Sequence, residues 1–363
     1  MKQTAQKLAR GIRAFGTAVL LAGAAGCATS RPSVPLRPLT EQEAEAARLD
    51  PDVRAVLAGL PELPAGTPAP GEQARRARER WESLAPYAAQ KTGAQVREVR
   101  VETSSGPLQL RTYRAEGGAG TLPAVLFLHG GGYVAGTLDL YDSLCRRLAQ
   151  KAHALVIAVD YRRAPESHFP AALADVHAAV RYLHSHAAEL GADPARVALA
   201  GDGAGAVLAV AEAVELGRGG EGLPAPRALA LAYPLADARL TSASWERLGG
   251  RGYLIGPEDV RATLALYLDP AQLTDPRVSP VLFADRDLRP LPRTLLLVAE
   301  LDPALDDGEA LAARLREAAV NVVLRREPGM VHGFLLMAGV VEAALRSLDG
   351  MGEFLGTSLA QAG

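Results

Sequence analysis

The chain has 363 residues, of which 48% are hydrophobic and 22% charged, a composition that supplies a sizeable core and excludes a disordered tail or a collagen-like fibre. Thirty-nine basic residues against 41 acidic ones give a formal charge of -2, which leaves neither an electrostatic footprint for nucleic acid nor a polybasic patch for anionic lipid. One large domain, or one domain with a small cap, fits this length.

In chain order, the first feature is an export signal. Lys2, Lys7, Arg10 and Arg13 form a basic start, and residues 14 to 30 then carry no charge. A membrane-spanning helix needs about 20 strongly apolar residues. This run is diluted by Gly16, Gly23 and Gly26, so a cleaved signal peptide over 1–26 is expected. The segment Leu21-Ala-Gly-Ala-Ala-Gly-Cys27 resembles a bacterial lipobox, in which the cysteine is acylated and becomes the mature N-terminus; Ala24 departs from the leucine that the motif favours. An ordinary signal peptide with an incidental cysteine is the alternative. Of the 2 cysteines, only Cys145 would remain beside an anchored Cys27, so the mature chain has no internal disulfide. The Pro-rich residues after Cys27 make 27–40 an extended tether, at ~3 Å per residue. The expected location is the cell envelope, with the lipid anchor as the only membrane contact.

Residues 41 to 90 read as two helices outside the main sheet. Leu49, Val53, Val56, Leu57 and Leu60 fall at helical spacing, a Pro/Gly break covers 61 to 71, and a charged run leads into Trp81 and Leu84. From Val96 onward apolar runs mark eight strands, at 96–102, 108–114, 124–129, 155–161, 197–201, 228–235, 294–300 and 320–326. The first two alternate and form an antiparallel edge hairpin around Ser104-Ser-Gly-Pro107, whereas the later ones are near-continuous apolar runs, as strands buried on both faces should be. Helical patterns at 138–152, 171–190, 204–216, 306–319 and 334–348 alternate with them, the signature of a doubly wound α/β domain. Residues 236–285 interrupt the alternation with a helical piece at 257–268 and read as an insertion over the strand ends. Part of this insertion, with 41–90, makes the expected helical cap of a domain spanning 41–363.

Chemistry concentrates at a few places. Leu126-Phe-Leu-His-Gly-Gly-Gly132 sets three glycines at the end of a buried strand, where backbone N–H groups can turn toward an anion without Cβ obstruction; a permissive turn is the alternative. Next come Asp160-Tyr-Arg-Arg-Ala-Pro-Glu166, and a strand that runs through Gly201-Asp-Gly-Ala-Gly-Ala206 into an apolar helix. Asp302 precedes Pro303, which also suits a helix N-cap with proline at its first position. His332-Gly-Phe334 follows the last strand. His153, His168, His177, His184 and His186 show no metal-ligand pattern with carboxylates.

These motifs, in this order, resemble the hormone-sensitive-lipase-like family of α/β hydrolases, whose bacterial branch consists largely of carboxylesterases acting on short and medium acyl chains. The resemblance spans most of the mature chain. It implies an α/β-hydrolase fold with about eight mostly parallel strands flanked by helices, no cofactor and no metal. It also implies that Asp302 orients His332, that His332 is the general base, and that the N–H groups of Gly131, Gly132 and Ala204 hold an oxyanion. His129 and Ser279 would be structural. The order of nucleophile position, acid and base along the chain agrees.

One motif departs. The family's strand-to-helix turn reads Gly-Asp-Ser-Ala-Gly, with serine as nucleophile on a strained elbow, and here that position is Gly203. Glycine suits the elbow backbone but has no side chain to attack a carbonyl. Loss of the serine typically costs about 10⁶ in kcat, roughly 8 kcal/mol. Ala206 replaces a further family glycine. Asp202, one residue before the apex, should point away from the site and is a poor substitute. The expected function is therefore binding of an ester, acyl or carboxylate-like small molecule with hydrolysis lost or reduced. The alternatives are hydrolysis by His332-activated water and a non-catalytic envelope protein. Gly201-x-Gly203-x-x-Ala206 also satisfies a dinucleotide fingerprint, but that reading needs a carboxylate at the end of the next strand about 20 residues on, where the chain is instead the loop Glu221-Gly-Leu-Pro-Ala-Pro226, and the next strand ends near Asp237, too far.

Overall fold

The computed structural model describes residues 48–61, 70–90, 92–118 and 120–360. The expected signal peptide, the tether and the first seven residues of the expected domain, 41–47, lie outside them. Among the described residues, no helix is long and apolar enough to cross a membrane.

The eight strands are β1 (Ala94–Thr103), β2 (Gly106–Ala115), β3 (Leu122–Leu128), β4 (Leu155–Asp160), β5 (Ala192–Asp202), β6 (Ala228–Ala232), β7 (Arg293–Ala299) and β8 (Val322–Glu327). They form one sheet in the order β1-β2-β4-β3-β5-β6-β7-β8. β1 and β2 pair antiparallel from Ala94↔Ala115 to Thr103↔Gly106, and β2 pairs antiparallel with β4. Every other neighbour is parallel. The jump from β3 to β5 places the reversal of strand order beside β3, and in such sheets the crevice outside the carboxyl ends at that point is where ligands bind.

The near-continuous apolar runs are explained by burial on both faces. Leu126 and Leu128 of β3 enter one core cluster, with Leu199, Leu229 and Leu296; Val125 and Phe127 enter the other, with Ala198, Ala200 and Leu297. The first cluster is covered by α4 (Ala171–Ser185) and α5 (Ala204–Gly217), the second by α3 (Asp142–Ala152) and α9 (Glu342–Ala360). α5 is apolar on nearly all sides, and Glu212, its buried acid, is answered by His177 of α4 at 2.9 Å. α3 and α9 are tied by Arg147, whose Nε and Nη2 each reach Asp349 at 2.6 Å.

α1 (Pro51–Gly59) and α2 (Pro70–Glu82) precede the sheet. Asp50 caps α1 by accepting from the Asp52 and Val53 N–H groups. Between β6 and β7 lie α6 (Ala243–Leu248) and α7 (Pro257–Tyr267), and α8 (Leu305–Glu317) precedes β8. α2 packs on α7. The helix expected over 334–348 is displaced: Phe334–Met337 is a single 3-10 turn, and α9 begins at Glu342 and runs to Ala360. The four side chains of that turn are all buried, so its apolar run reflects core filling rather than a helical stripe.

Candidate active site

β5 ends at Asp202 and α5 begins at Ala204, so Gly203 alone makes the turn, at φ 51 and ψ -119. That backbone is reached freely by glycine and is strained for other residues. Its N–H donates to the Ala232 carbonyl of β6 at 2.9 Å, which fixes the apex over the sheet. A Cβ built on Gly203 falls 3.4 Å from His332 Nε2 and 3.8 Å from the Gly130 Cα, and, its two chain neighbours aside, nothing else among the described residues lies within 4 Å. The apex therefore faces the imidazole across open space.

His332 sits on the loop after β8. Its Nδ1 lies 2.8 Å from Asp302 Oδ2, and both side chains are almost completely buried. The carboxylate accepts the Nδ1 proton, which leaves Nε2 as the basic nitrogen facing Gly203. The two loops are laced together, because the Leu301 N–H donates to the Met330 carbonyl at 2.9 Å. Trp81 meets the imidazole edge-on, and the Tyr233 ring lies 4.9 Å from it between centroids. Asp302 is not a helix N-cap: that place falls to Ala304, with no side-chain cap, and Asp302 Oδ1 accepts the Ala304 N–H at 2.8 Å.

The glycine loop after β3 supplies the other half. Gly131 and Gly132 have φ 108 and 61, and their N–H groups donate to no backbone carbonyl among the described residues. The Ala204 N–H, at the first position of α5, has no intrahelical acceptor. A Cβ on Gly131 would fall 2.4 Å from the Ala135 carbonyl oxygen, so only glycine fits there. Gly131, Gly132, Gly203, Ala204 and His332 all line one cavity of about 520 Å³, walled by residues of α2 and α7.

The Asp160–Glu166 run scaffolds that loop from behind. Tyr161 Oη donates to the His129 carbonyl at 2.7 Å, Arg163 donates to the Gly136 carbonyl, and the Ala164 N–H donates to the Tyr133 carbonyl at 2.9 Å. Arg78 of α2 reaches the same assembly: its Nε donates to the Val134 carbonyl and its Nη2 to the Ala164 carbonyl, each at 3.0 Å, while Nη1 reaches Glu166 at 2.9 Å. His129 stacks on Tyr161 and its Nδ1 donates to the Gly130 carbonyl. Burial pulls its pKa down to about 3, so the ring is neutral. Tyr133 stacks face to face on Tyr267 of α7, with centroids 4.3 Å apart.

Asp202 is turned beneath the glycine loop. It is fully buried and accepts from the Gly130 N–H at 2.7 Å, Tyr141 Oη at 2.9 Å and Tyr233 Oη at 3.2 Å. Burial raises its pKa to about 6, against the downward pull of these donors and of His332. Ser279 is buried, accepting the Ala238 N–H and donating to the Leu273 carbonyl.

The family model for the α/β-hydrolase fold matches residues 125–336, from β3 to just past His332. The chain belongs to the α/β-hydrolase family. Its relatives include esterases and a lipase. It is 42% identical over 222 residues to an ethyl acetate hydrolase of Pseudomonas putida, covering 61% of this chain and 69% of that one. It is 40% identical over 249 residues to the carboxylic ester hydrolase LipN of Mycobacterium tuberculosis, covering 66% of this chain and 64% of LipN. Among solved structures, a thermostable esterase from Pseudomonas putida superposes with a TM-score of 0.80 at 28% identity, over 86% of this chain and 98% of that one. These likenesses place the chain with the carboxylic ester hydrolases.

Within this α/β hydrolase the expected site residues converge, but Arg80, Trp81, Tyr141 and Tyr233 were not singled out for the site from sequence. A signal existed for the first two. Gln73, Arg76, Ala77, Arg80 and Trp81 recur on one face of α2 and line the cavity, a stripe that reads as charged surface until its partner is known.

Proposed function

We propose that this α/β hydrolase binds an ester, acyl or carboxylate-like small molecule in the cavity between α2, α7 and the glycine loop, with hydrolysis lost or strongly reduced. In this reading the N–H groups of Gly131, Gly132 and Ala204 hold the carbonyl or carboxylate oxygen, and the Asp302–His332 pair is the retained base. The observation that carries it is the approach of 3.4 Å between His332 Nε2 and the Cβ that Gly203 lacks. The reaction needs a nucleophile beside the base, and Gly203 has no side-chain atom to offer there. The segments around α1, α2, α6 and α7 then act as the cap that shapes the ligand.

The intact Asp302–His332 bond at 2.8 Å favours a second reading. His332 Nε2 takes a proton from water as its oxygen attacks the held carbonyl, and the tetrahedral adduct expels the alcohol, which leaves with that proton. Hydrolysis of p-nitrophenyl acetate, butyrate and octanoate separates the two. The first reading expects a silent parent, a Gly203→Ser variant that gains orders of magnitude, and loss of the gain in Gly203→Ser/His332→Ala. Turnover by the parent that His332→Ala abolishes establishes the second reading instead. Silence of all three folded proteins, with no ester or carboxylate bound, removes both and leaves a structural envelope protein.

We further propose export through residues 1–26 and lipid anchoring at Cys27. The basic start, the uncharged run and the small residues before Cys27 support it. Radiolabelled palmitate should enter the wild-type chain expressed in a bacterium and not the Cys27→Ala variant.

A further inference from the structure

The cavity wall carries a cation that the proposed chemistry leaves unused. Arg76 and Arg80, both on α2, are partly withdrawn from solvent where they line the cavity, whereas Glu258, Asp259 and Arg261 on α7 are exposed. Arg76 is answered by Glu72 of its own helix at 2.6 Å. Arg80 has no such answer among the described residues. Its Nη1 donates to the Pro61 carbonyl at 2.9 Å, and its Nε is buried without a hydrogen-bond partner. Asp259 acts on it as a charge without hydrogen-bonding it, and burial pulls the Arg80 pKa downward.

With Nη1 committed to Pro61 and Nε closed off from solvent, Nη2 is the guanidinium nitrogen left to meet a ligand in the cavity that Arg80 lines, and a charged N–H donor there matches a carboxylate oxygen.

We propose that Arg80 recognises a second, anionic group on the ligand, a carboxylate, so that the site takes half-esters of dicarboxylic acids or acylated hydroxy acids rather than neutral esters. The inference rests on the ligand-binding reading above and names the class of molecule that reading leaves open. One end of the molecule lies at Gly131, Gly132 and His332, and the charged end pairs with the guanidinium across the cavity.

The test is calorimetric titration of the full chain with two isosteric pairs: methyl hydrogen adipate against methyl hexanoate, and acetylated ω-hydroxyvalerate against pentyl acetate. The carboxylate member of at least one pair should bind about tenfold or more tightly, a difference of about 1.4 kcal/mol, and the preference should shrink as salt rises. Arg80→Met should abolish the preference, read as the ratio of affinities within each pair, while Arg80→Lys keeps part of it. Equal affinities within both pairs in the wild type, or a preference that survives Arg80→Met, overturns the inference while the binding reading stands. If Arg80→Met does not fold, Arg80→Lys and the salt dependence of the wild type decide. If no member of either pair binds the folded wild-type chain, the binding reading falls and this inference falls with it.

Discussion

Asp202 is the group whose replacement tests the site's construction most directly. Its carboxyl is fully buried, holds three donors, and titrates at about 6 instead of 3.8 because burial disfavours the charge. Raising the folded pKa means that the stability contributed by the neutral acid is fully present below about pH 4 and is lost as pH rises through 6. At 1.36 kcal/mol per tenfold change, the gap from 3.8 to about 6 corresponds to about 3 kcal/mol over the whole range. Roughly 1 to 2 kcal/mol of that falls between pH 5 and 8. Asp202→Asn removes the titration but keeps an acceptor for the Gly130 N–H, and its amide can donate to the Tyr141 and Tyr233 hydroxyls. Urea unfolding of both proteins at several values between pH 5 and 8, with equal m-values, should show the wild type losing roughly 1 to 2 kcal/mol relative to the variant as pH rises. Asp202→Ala leaves three buried donors unmade and should cost about 3 kcal/mol or more at any pH. Parallel wild-type and Asn curves across that range would refute the claim that the buried carboxyl ionises at a cost.

Three further predictions address the neighbouring positions. Gly203→Ala should lower stability by about 1–3 kcal/mol through the elbow backbone and confer no ester hydrolysis, read by thermal unfolding and a p-nitrophenyl butyrate assay. Gly131→Ala must push against the Ala135 carbonyl 2.4 Å away, so affinity for esters should fall at least tenfold, with far-ultraviolet dichroism unchanged. His177→Ala strands Glu212, whose side chain is only 3% exposed, and should cost about 1–3 kcal/mol. Because the hydrogen bond to Glu212 raises the His177 pKa, the pair's ionic contribution is full below the ordinary histidine pKa of 6.5 and fades as pH rises through the raised value; a cost that grows from pH 6 to 9 in chemical denaturation would contradict this.

The fold was legible in the sequence wherever burial was one-dimensional. Runs such as Leu126-Phe-Leu and Leu295-Leu-Leu are apolar on consecutive residues because the two cores take alternate side chains, and no surface strand needs that pattern. Phe334-Leu-Leu-Met misleads for the same reason, since a buried 3-10 turn is as apolar as a helix segment. At the site, the residues carried by local motifs could be named: Gly131, Gly132, Gly203, Asp302 and His332. The groups that act through distance could not. Tyr141 and Tyr233 lie 61 and 31 residues from the Asp202 they hold, and nothing in their flanking sequence marks them. Arg80 lies in a charged run, and neither the Pro61 carbonyl that takes its Nη1 nor the cavity it lines with α7 can be read from the residues beside it.

The mooring of α2 by Arg78 has a mechanical consequence. One guanidinium grips the carbonyls of Val134 and Ala164, and Val134 is two residues beyond Gly132, whose N–H donates to no backbone carbonyl among the described residues. The same helix presents Arg80 and Trp81 to the cavity. Arg78 therefore ties the two walls of the cavity together, with one side chain holding α2 and the glycine loop in place relative to one another. Under the binding reading proposed above, a ligand that meets both walls at once finds them already positioned for each other, and need not spend binding energy to bring them together.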